Sequence, residues 1–333
     1  MNIAIIGYGY WGPNIVRNFS SIPDMKVRYI CDKSPEALER AGRDFPHIEL
    51  STDSQSILLS TEVDAVAVVT QTNTHYGIAR TALMNGKHVF VEKPFTSTTV
   101  EAEELTELAE KKGLTIMVDH TFLFTGAVRK MKELLQENAL GELYYYDSVR
   151  VNLGLFQSDV NVVWDLLPHD IAIIHYLTGM MPLEVSAIGV DHFNHGKENI
   201  AYVSAFYENN LVAHFNMNWL SPVKVRRTLI GGARKMLEWN DLSADEKLKI
   251  YDRGVDRKNQ ENKYEALVDY RFGDIYIPKL SKVEALRAET EYFYKCVSTG
   301  ERPINDGASG VAVIRVLEAV GRSMNLGGAS VKL

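Results

Sequence analysis

Cysteine is nearly absent from this chain: Cys31 and Cys296 are the only two in 333 residues. They stand far apart and form no C-x-x-C, which argues against a disulfide framework and a cysteine metal site. An excess of positive charge is also missing. Lys and Arg number 36 against 43 Asp and Glu, a formal charge of −7. With no basic run either, nucleic acid is not an expected partner. No apolar run is long enough to span a bilayer, so no membrane partner is expected. The chain enters a strand at once, which leaves no room for a signal peptide and predicts a cytoplasmic protein. His169, His175, His192 and His195 show no recognised ligand spacing, so no metal is expected. There is no G-x-S-x-G elbow to suggest a hydrolase, no internal repeat and no low-complexity tract. What remains has the composition of an ordinary globular enzyme and a length that suits two domains.

The most informative stretch that is present comes first. Ile3-Ala4-Ile5-Ile6 runs into Gly7-Tyr8-Gly9-Tyr10-Trp11-Gly12, an apolar strand ending in the G-x-G-x-x-G dinucleotide fingerprint. Gly7 permits the tight turn, Gly9 lets backbone approach a pyrophosphate, and Gly12 lets the next helix sit close to the strand. Tyr8, Tyr10 and Trp11 complete the loop and are counted with it as cofactor-binding. Pro13 suits the first helical position, and the helix N-terminus offers N–H groups to phosphate. About twenty residues on, Asp32 ends a second strand, where an acidic residue holds the ribose hydroxyls of NAD. A turn or cap before Ser34-Pro35 is the competing reading of Asp32. Lys33 leaves NADP open, because a cation accepts a 2′-phosphate.

The first 120 residues alternate strand and helix, with strands at 63–70, 88–92 and 114–118 and helices at 75–85 and 98–112. This pattern predicts a doubly wound parallel sheet, a Rossmann domain over 1–120. Residues 121–333 read as an α+β domain for substrate binding and oligomerisation. It has a helix at 127–138 and strands at 144–151, 184–190, 201–207, 212–219, 225–230 and 235–239, so its sheet is expected to be mostly antiparallel. Asn209-Asn210 reads as a hairpin turn. Residues 240–278 read as a polar, irregular excursion, and helices at 282–297 and 309–324 close the chain. Along 211–219 the apolar and polar residues alternate, with His214, Asn216 and Asn218 on the polar face. That face meets either solvent or another subunit.

Two segments carry candidate chemistry. Val91-Glu92-Lys93-Pro94 ends a strand, and ligands gather at the carboxyl ends of strands in open α/β sheets. A lysine there reaches substrate beside a nicotinamide ring and stabilises a developing alkoxide; a surface lysine is the plain alternative. In Trp164-Asp165-Leu166-Leu167-Pro168-His169-Asp170, Asp165 and His169 are four apart and share one face of a helix. Histidine is the commonest general base for a hydroxyl proton. The competing readings make Asp165 an N-cap and His169 an interior histidine, and Pro168 disfavours helix at Leu167.

Taken together, the glycine loop, Glu92-Lys93-Pro94 and the Asp-x-x-x-His segment resemble the Gfo/Idh/MocA family of glucose–fructose oxidoreductases and inositol dehydrogenases. The stretch Val69-Thr70-Gln71-Thr72-Asn73-Thr74-His75 is similar to the family's third-strand loop, with Gln71 where proline is usual. Leu123 departs from the family's usual arginine. The resemblance implies that Thr70, Asn73, His75, Glu92 and Lys93 line the cofactor. It also implies that His169 takes the hydroxyl proton, that Lys93 stabilises the oxygen, and that Asp165 holds the sugar or the histidine. The glycine loop, the Trp164–Asp170 segment and Trp219-Leu220-Ser221-Pro222-Val223-Lys224-Val225-Arg226 resemble the nucleotide-sugar 3-dehydrogenases. That implies NAD-dependent oxidation of the 3-hydroxyl of a UDP-N-acetylhexosamine or its uronate. The product is a 3-keto sugar for an aminotransferase, on the way to amino sugars of surface polysaccharides. A homodimer or homotetramer is expected. Lys224 and Arg226 lie on one strand face by period two and meet either the diphosphate or solvent. An inositol or free-sugar dehydrogenase and a silent NAD-binding sensor are the alternatives.

Overall fold

A computed structural model of the chain describes residues 1–154, 156, 159–257 and 268–333. They fall into two compact units: Met1–Phe124 with Val283–Arg315, and Thr125–Lys282 with Val316–Leu333. The sequence draws one boundary near residue 120, whereas the chain returns to the first unit at about residue 283.

In the first unit the order is β1 (Asn2–Ile6), α1 (Gly12–Ser20), β2 (Lys26–Cys31), α2 (Pro35–Asp44), β3 (Glu49–Ser51) and α3 (Ser54–Leu59). Then come β4 (Ala65–Val68), α4 (Thr72–Met84), β5 (His88–Val91), α5 (Thr99–Lys112) and β6 (Ile116–Val118). The strands lie in the order β3-β2-β1-β4-β5-β6, and every pair is parallel. This is the doubly wound order, with a switch point between β1 and β4. The Ala-Val-Ala-Val run of β4 is buried throughout, as a strand covered on both faces must be. The side chains of Ser34, Asp53 and Thr98 cap α2, α3 and α5, and Gly113, in the left-handed region, ends α5. The sequence misses β3 and α3, which are too short to show a period.

The second unit begins with α6 (Gly126–Gln136), β7 (Leu143–Leu153), α7 (Val162–Thr178), β8 (Glu184–Val190), β9 (Ile200–Phe206) and β10 (Val212–Asn218). It continues with β11 (Leu220–Gly232), β12 (Met236–Asn240), β13 (Leu248–Arg257) and β14 (Val268–Tyr276). The chain then runs through α8 (Ala285–Thr299), α9 (Gly307–Asn325) and β15 (Val331–Lys332). Among the described residues the sheet order is β14-β13-β12-β11-β7-β10-β9-β8-β15. Only β7 and β10 pair in parallel; the other neighbours are antiparallel. Asn209 and Asn210 both adopt positive φ between β9 and β10, as a tight hairpin turn requires.

The expected excursion at 240–278 is corrected in its described parts: β13 and β14 form an antiparallel hairpin. The apolar residues Tyr270 and Phe272 of β14 are exposed, so this edge of the sheet lacks the one-sided alternation that marks a strand. Residues 258–267 lie outside the described residues.

Helix α7 packs on β7, β9 and β10, and a buried ion pair fixes it there. Asp170 accepts from Arg150 Nε at 2.7 Å, from the Ser148 hydroxyl at 3.0 Å and from the Tyr146 hydroxyl at 3.4 Å. All four residues are buried. Removing one charge of such a pair leaves the other in the interior. Asp170→Asn should therefore lower unfolding stability by about 3–5 kcal/mol, measured by urea denaturation. A loss under about 1 kcal/mol, the range of an exposed pair, would show that the pair is not holding the helix.

Candidate active site

The glycine loop leaves β1 through Gly7, whose N–H donates to the Cys31 carbonyl at 2.8 Å. Gly7 has φ +104°, and a Cβ there would lie 2.2 Å from the Val69 carbonyl oxygen, so no other residue fits. Gly9 is the opposite case: a Cβ there would meet nothing within 4 Å. The space beside Gly9 is open to a ligand, and no side chain caps the α1 N-terminus that follows. This arrangement fits a pyrophosphate at a helix N-terminus. Asp32, half-buried at the end of β2, accepts from the Tyr8 N–H at 2.6 Å and the Ser34 N–H at 2.8 Å. Its carboxylate is thereby held at the edge of the loop, and Lys33 beside it is exposed.

Three loop residues separate in character. The Tyr8 side chain is buried and donates to Asp44 at 2.9 Å. Tyr10 is 86% exposed. The Trp11 indole Nε1 donates to Asp119 at 3.3 Å.

The loop after β4 carries Thr70, half-buried, and Asn73, exposed in the first turn of α4. His75 is buried. Its Nδ1 lies 2.9 Å from the Pro94 carbonyl and its Nε2 lies 3.0 Å from the Thr70 carbonyl. The ring thus lies between the loop after β4 and the loop after β5 and touches both.

Glu92 and Lys93 follow β5, both half-buried. The Lys93 amide donates to Glu92 Oε2 at 2.8 Å. Burial, and then the neighbouring Asp119, push the Glu92 carboxyl well above the ordinary carboxylate range. Glu289 on α8 is raised well above that range by the same two causes. Neither Asp119 nor Glu289 is predicted from the sequence. Asp119 stands directly after β6, at the carboxyl end of a strand, and that position was the available signal. Glu289 is one polar residue on an amphipathic helix, with no local mark.

In the second unit α7 runs unbroken from Val162, and Asn161 is its N-cap, accepting from the Trp164 N–H at 3.0 Å. Asp165 is therefore not the cap. Pro168 sits inside the helix and has no N–H to give the Trp164 carbonyl. Asp165 and His169 lie one turn apart, both half-buried. Asp165 Oδ2 accepts from the Trp219 indole at 3.3 Å, a contact that an apolar reading of Trp219 does not foresee.

Lys224 and Arg226 both lie on β11. The pairing of β11 with β7 slips between Leu220 and Val225; Lys224 is exposed and Arg226 half-buried. Arg226 forms an ion pair with Asp241 at 3.4 Å. Among the described residues no cluster of His, Cys, Asp and Glu could hold a metal ion, and no helix is long and apolar enough to cross a membrane.

The model for the oxidoreductase family with an NAD-binding Rossmann fold matches residues 1–120, and that for the GFO/IDH/MocA C-terminal domain matches residues 128–238. The chain is 28% identical over 327 residues to the UDP-N-acetylglucosamine 3-dehydrogenase of Acidithiobacillus ferrooxidans, covering 94% of each. The solved structure of that enzyme superposes with a TM-score of 0.81 at 26% identity, covering 98% of each chain. The NAD-dependent scyllo-inositol 2-dehydrogenase of Bacillus subtilis is 28% identical over 192 residues, covering 56% of each. Fold and glycine loop together define an NAD-binding oxidoreductase. The chain belongs to the Gfo/Idh/MocA family.

The two glycines should part company on substitution. Gly7→Ala is expected to cost about 2 kcal/mol or more in folding stability, because backbone must move. Gly9→Ala should leave stability within about 0.5 kcal/mol yet weaken NAD binding tenfold or more by calorimetry. Unchanged NAD affinity in Gly9→Ala would place the pyrophosphate elsewhere.

Proposed function

We propose that this chain oxidises the 3-hydroxyl of a UDP-N-acetylhexosamine or its uronate to a 3-keto sugar. The observation that carries the reading is similarity to a UDP-N-acetylglucosamine 3-dehydrogenase across nearly the whole of both chains. The Asp165–His169 pair on α7 and Lys93 after β5 supply side chains suited to the reaction.

The glycine-loop amides would hold the pyrophosphate and Asp32 the adenosine ribose. Asp32 favours NAD, because a carboxylate repels the 2′-phosphate of NADP. Thr70, Asn73 and Glu92 stand at the ends of neighbouring parallel strands and complete the cofactor side. When bound, NAD accepts the hydride that leaves the sugar carbon. His169 takes the hydroxyl proton as that hydride departs. Lys93 donates a hydrogen bond to the same oxygen and stabilises its negative charge. Asp165, held by Trp219, orients the histidine or grips a sugar hydroxyl. Arg226 and Lys224 remain candidates for the diphosphate, with Arg226 exchanging its bond to Asp241 for one to phosphate.

Lys93→Met and His169→Ala should each lower kcat on the true substrate by about a hundredfold or more, with NAD affinity little changed in His169→Ala. The substrate class is tested by NADH formation across UDP-sugars, free sugars and inositols. Better efficiency with inositol or glucose than with every UDP-sugar would overturn the nucleotide-sugar reading and leave the family.

The chain is also proposed to work as a homo-oligomer. Ile188 and Tyr202 are cross-strand neighbours on β8 and β9, and both are exposed, as is Val212 on β10. This outward sheet face, which mixes these apolar residues with His214 and Asn216, suits a second copy. Ile188→Lys with Tyr202→Glu should convert the native oligomer to monomer in sedimentation. An unchanged sedimentation coefficient would exclude this face.

A further inference from the structure

Three aromatic rings of the second unit gather beside Asp165. Trp219 is buried, and its indole Nε1 donates to Asp165 Oδ2 at 3.3 Å. The Phe156 ring, beyond the end of β7, lies 5.4 Å from the Trp219 ring. The Phe193 ring, beyond the end of β8, packs edge-on to Phe156 at 5.3 Å. His195 lies 6.5 Å from Phe193 with its ring nearly parallel. Unlike Trp219, Phe156 is 44% exposed and Phe193 48% exposed. One exposed ring is ordinary. Two in contact, joined through a single indole to a candidate catalytic carboxylate, make a surface for a ligand.

The loop that carries Phe193 is set by its own hydrogen bonds. Asp191 accepts from the Phe193 amide at 3.0 Å and from the Gly196 amide at 2.8 Å. His192 Nδ1 lies 2.8 Å from Asn199 Oδ1, and the carbonyl of buried Asn199 accepts from the Trp219 amide at 2.9 Å. The Glu198 carbonyl accepts from the Val162 amide at 2.9 Å, and its carboxylate accepts from Asn161 Nδ2 at 2.7 Å. The loop is thereby tied to the start of α7, in whose first turn Asp165 stands. From the other side, the Gly154 amide donates to the Trp219 carbonyl at 3.2 Å, two residues before Phe156.

We propose that Phe156 and Phe193 form the subsite for the nucleobase of the substrate, which stacks on their exposed faces while the sugar meets Asp165 and His169. The inference rests on the nucleotide-sugar reading above and deepens it. A free sugar at Asp165 carries no group that calls for aromatic rings beyond an indole. A nucleotide sugar carries, past its diphosphate, a flat ring with apolar faces and polar edges. Such a ring stacks on half-exposed phenylalanines and keeps its edges in water. Stacking tolerates any base, so the subsite separates nucleotide sugars from free sugars more than one base from another. A loop already fixed lowers the ordering cost of binding.

UDP has the base and the diphosphate but no sugar to oxidise, so calorimetry of UDP with the NAD-loaded protein tests the subsite without turnover. Phe156→Ala and Phe193→Ala should each weaken UDP binding about tenfold, and Phe193→Tyr should retain it. N-acetylglucosamine 1-phosphate, which lacks a base, should bind the wild-type protein and these variants equally. Where alanine unsettles the loop, Phe193→Leu keeps the bulk without the ring and should show the same loss of UDP. The subsite is overturned if UDP does not bind the wild-type protein, if its affinity is unmoved in Phe193→Ala or Phe193→Leu, or if the sugar phosphate is weakened in parallel. Loss of the oligomer in Phe193→Ala with UDP affinity intact would assign the rings to a contact between copies and overturn it as well. In turnover, Phe193→Ala should raise KM for the UDP-sugar and leave kcat within about twofold. If no UDP-sugar is oxidised while UDP binding responds to Phe193 as expected, the 3-dehydrogenase reading fails and the subsite stands. If UDP-sugars are oxidised while UDP binding ignores Phe193, the subsite fails and that reading stands.

Discussion

Arg150 and Asp170 meet at 2.7 Å in the interior of the second unit, and the setting of α7 depends on that pair. A helix with a proline in its seventh position lacks one of its own hydrogen bonds and needs tertiary anchors. Asp170 supplies them by drawing Arg150, Ser148 and Tyr146 of β7 onto α7. His169 is its immediate neighbour in sequence and Asp165 lies one turn before. The orientation of both therefore follows from a charge that neither of them carries. Trp219, at the end of β10, fixes Asp165 from a second direction.

The first unit reaches its site by topology. Parallel strands place their carboxyl ends along one edge, and five of the six ends carry candidate site residues. The glycine loop follows β1, Asp32 follows β2, Thr70 stands near β4, Glu92 and Lys93 follow β5, and Asp119 follows β6. The loops there are short and held by their own hydrogen bonds. Asp32 bonds to the Tyr8 amide and His75 spans two carbonyls. Such cross-links pre-organise a surface on which the ligand need not order the protein.

Much of this was legible because it is local. The glycine spacing, an acid at the end of the second strand, the alternation of strand and helix, and the i, i+4 relation of Asp165 and His169 are each set within a few residues. What escaped prediction depends on distant partners. Tyr8 turns inward to Asp44, 36 residues away. Arg226 pairs with Asp241 across a hairpin. The hairpin of β13 and β14 hides because exposed apolar residues such as Tyr270 and Phe272 break the one-sided alternation. Glu289 meets Asp119 from a helix near the other end of the chain, and nothing near it in sequence marks the meeting. Legibility fell where a residue's role is fixed by what another segment brings to it.

The two units manage buried charge in opposite ways. Asp170 is structural, so a full counter-ion is tolerable: the Arg150 guanidinium is permanently charged and the pair has no reason to change state. For Glu92 and Glu289, burial and the nearby Asp119 outweigh any cation, and both carboxyls are pushed well above the ordinary carboxylate range. Burial there favours the neutral carboxyl, whereas Asp170 keeps its charge by pairing it.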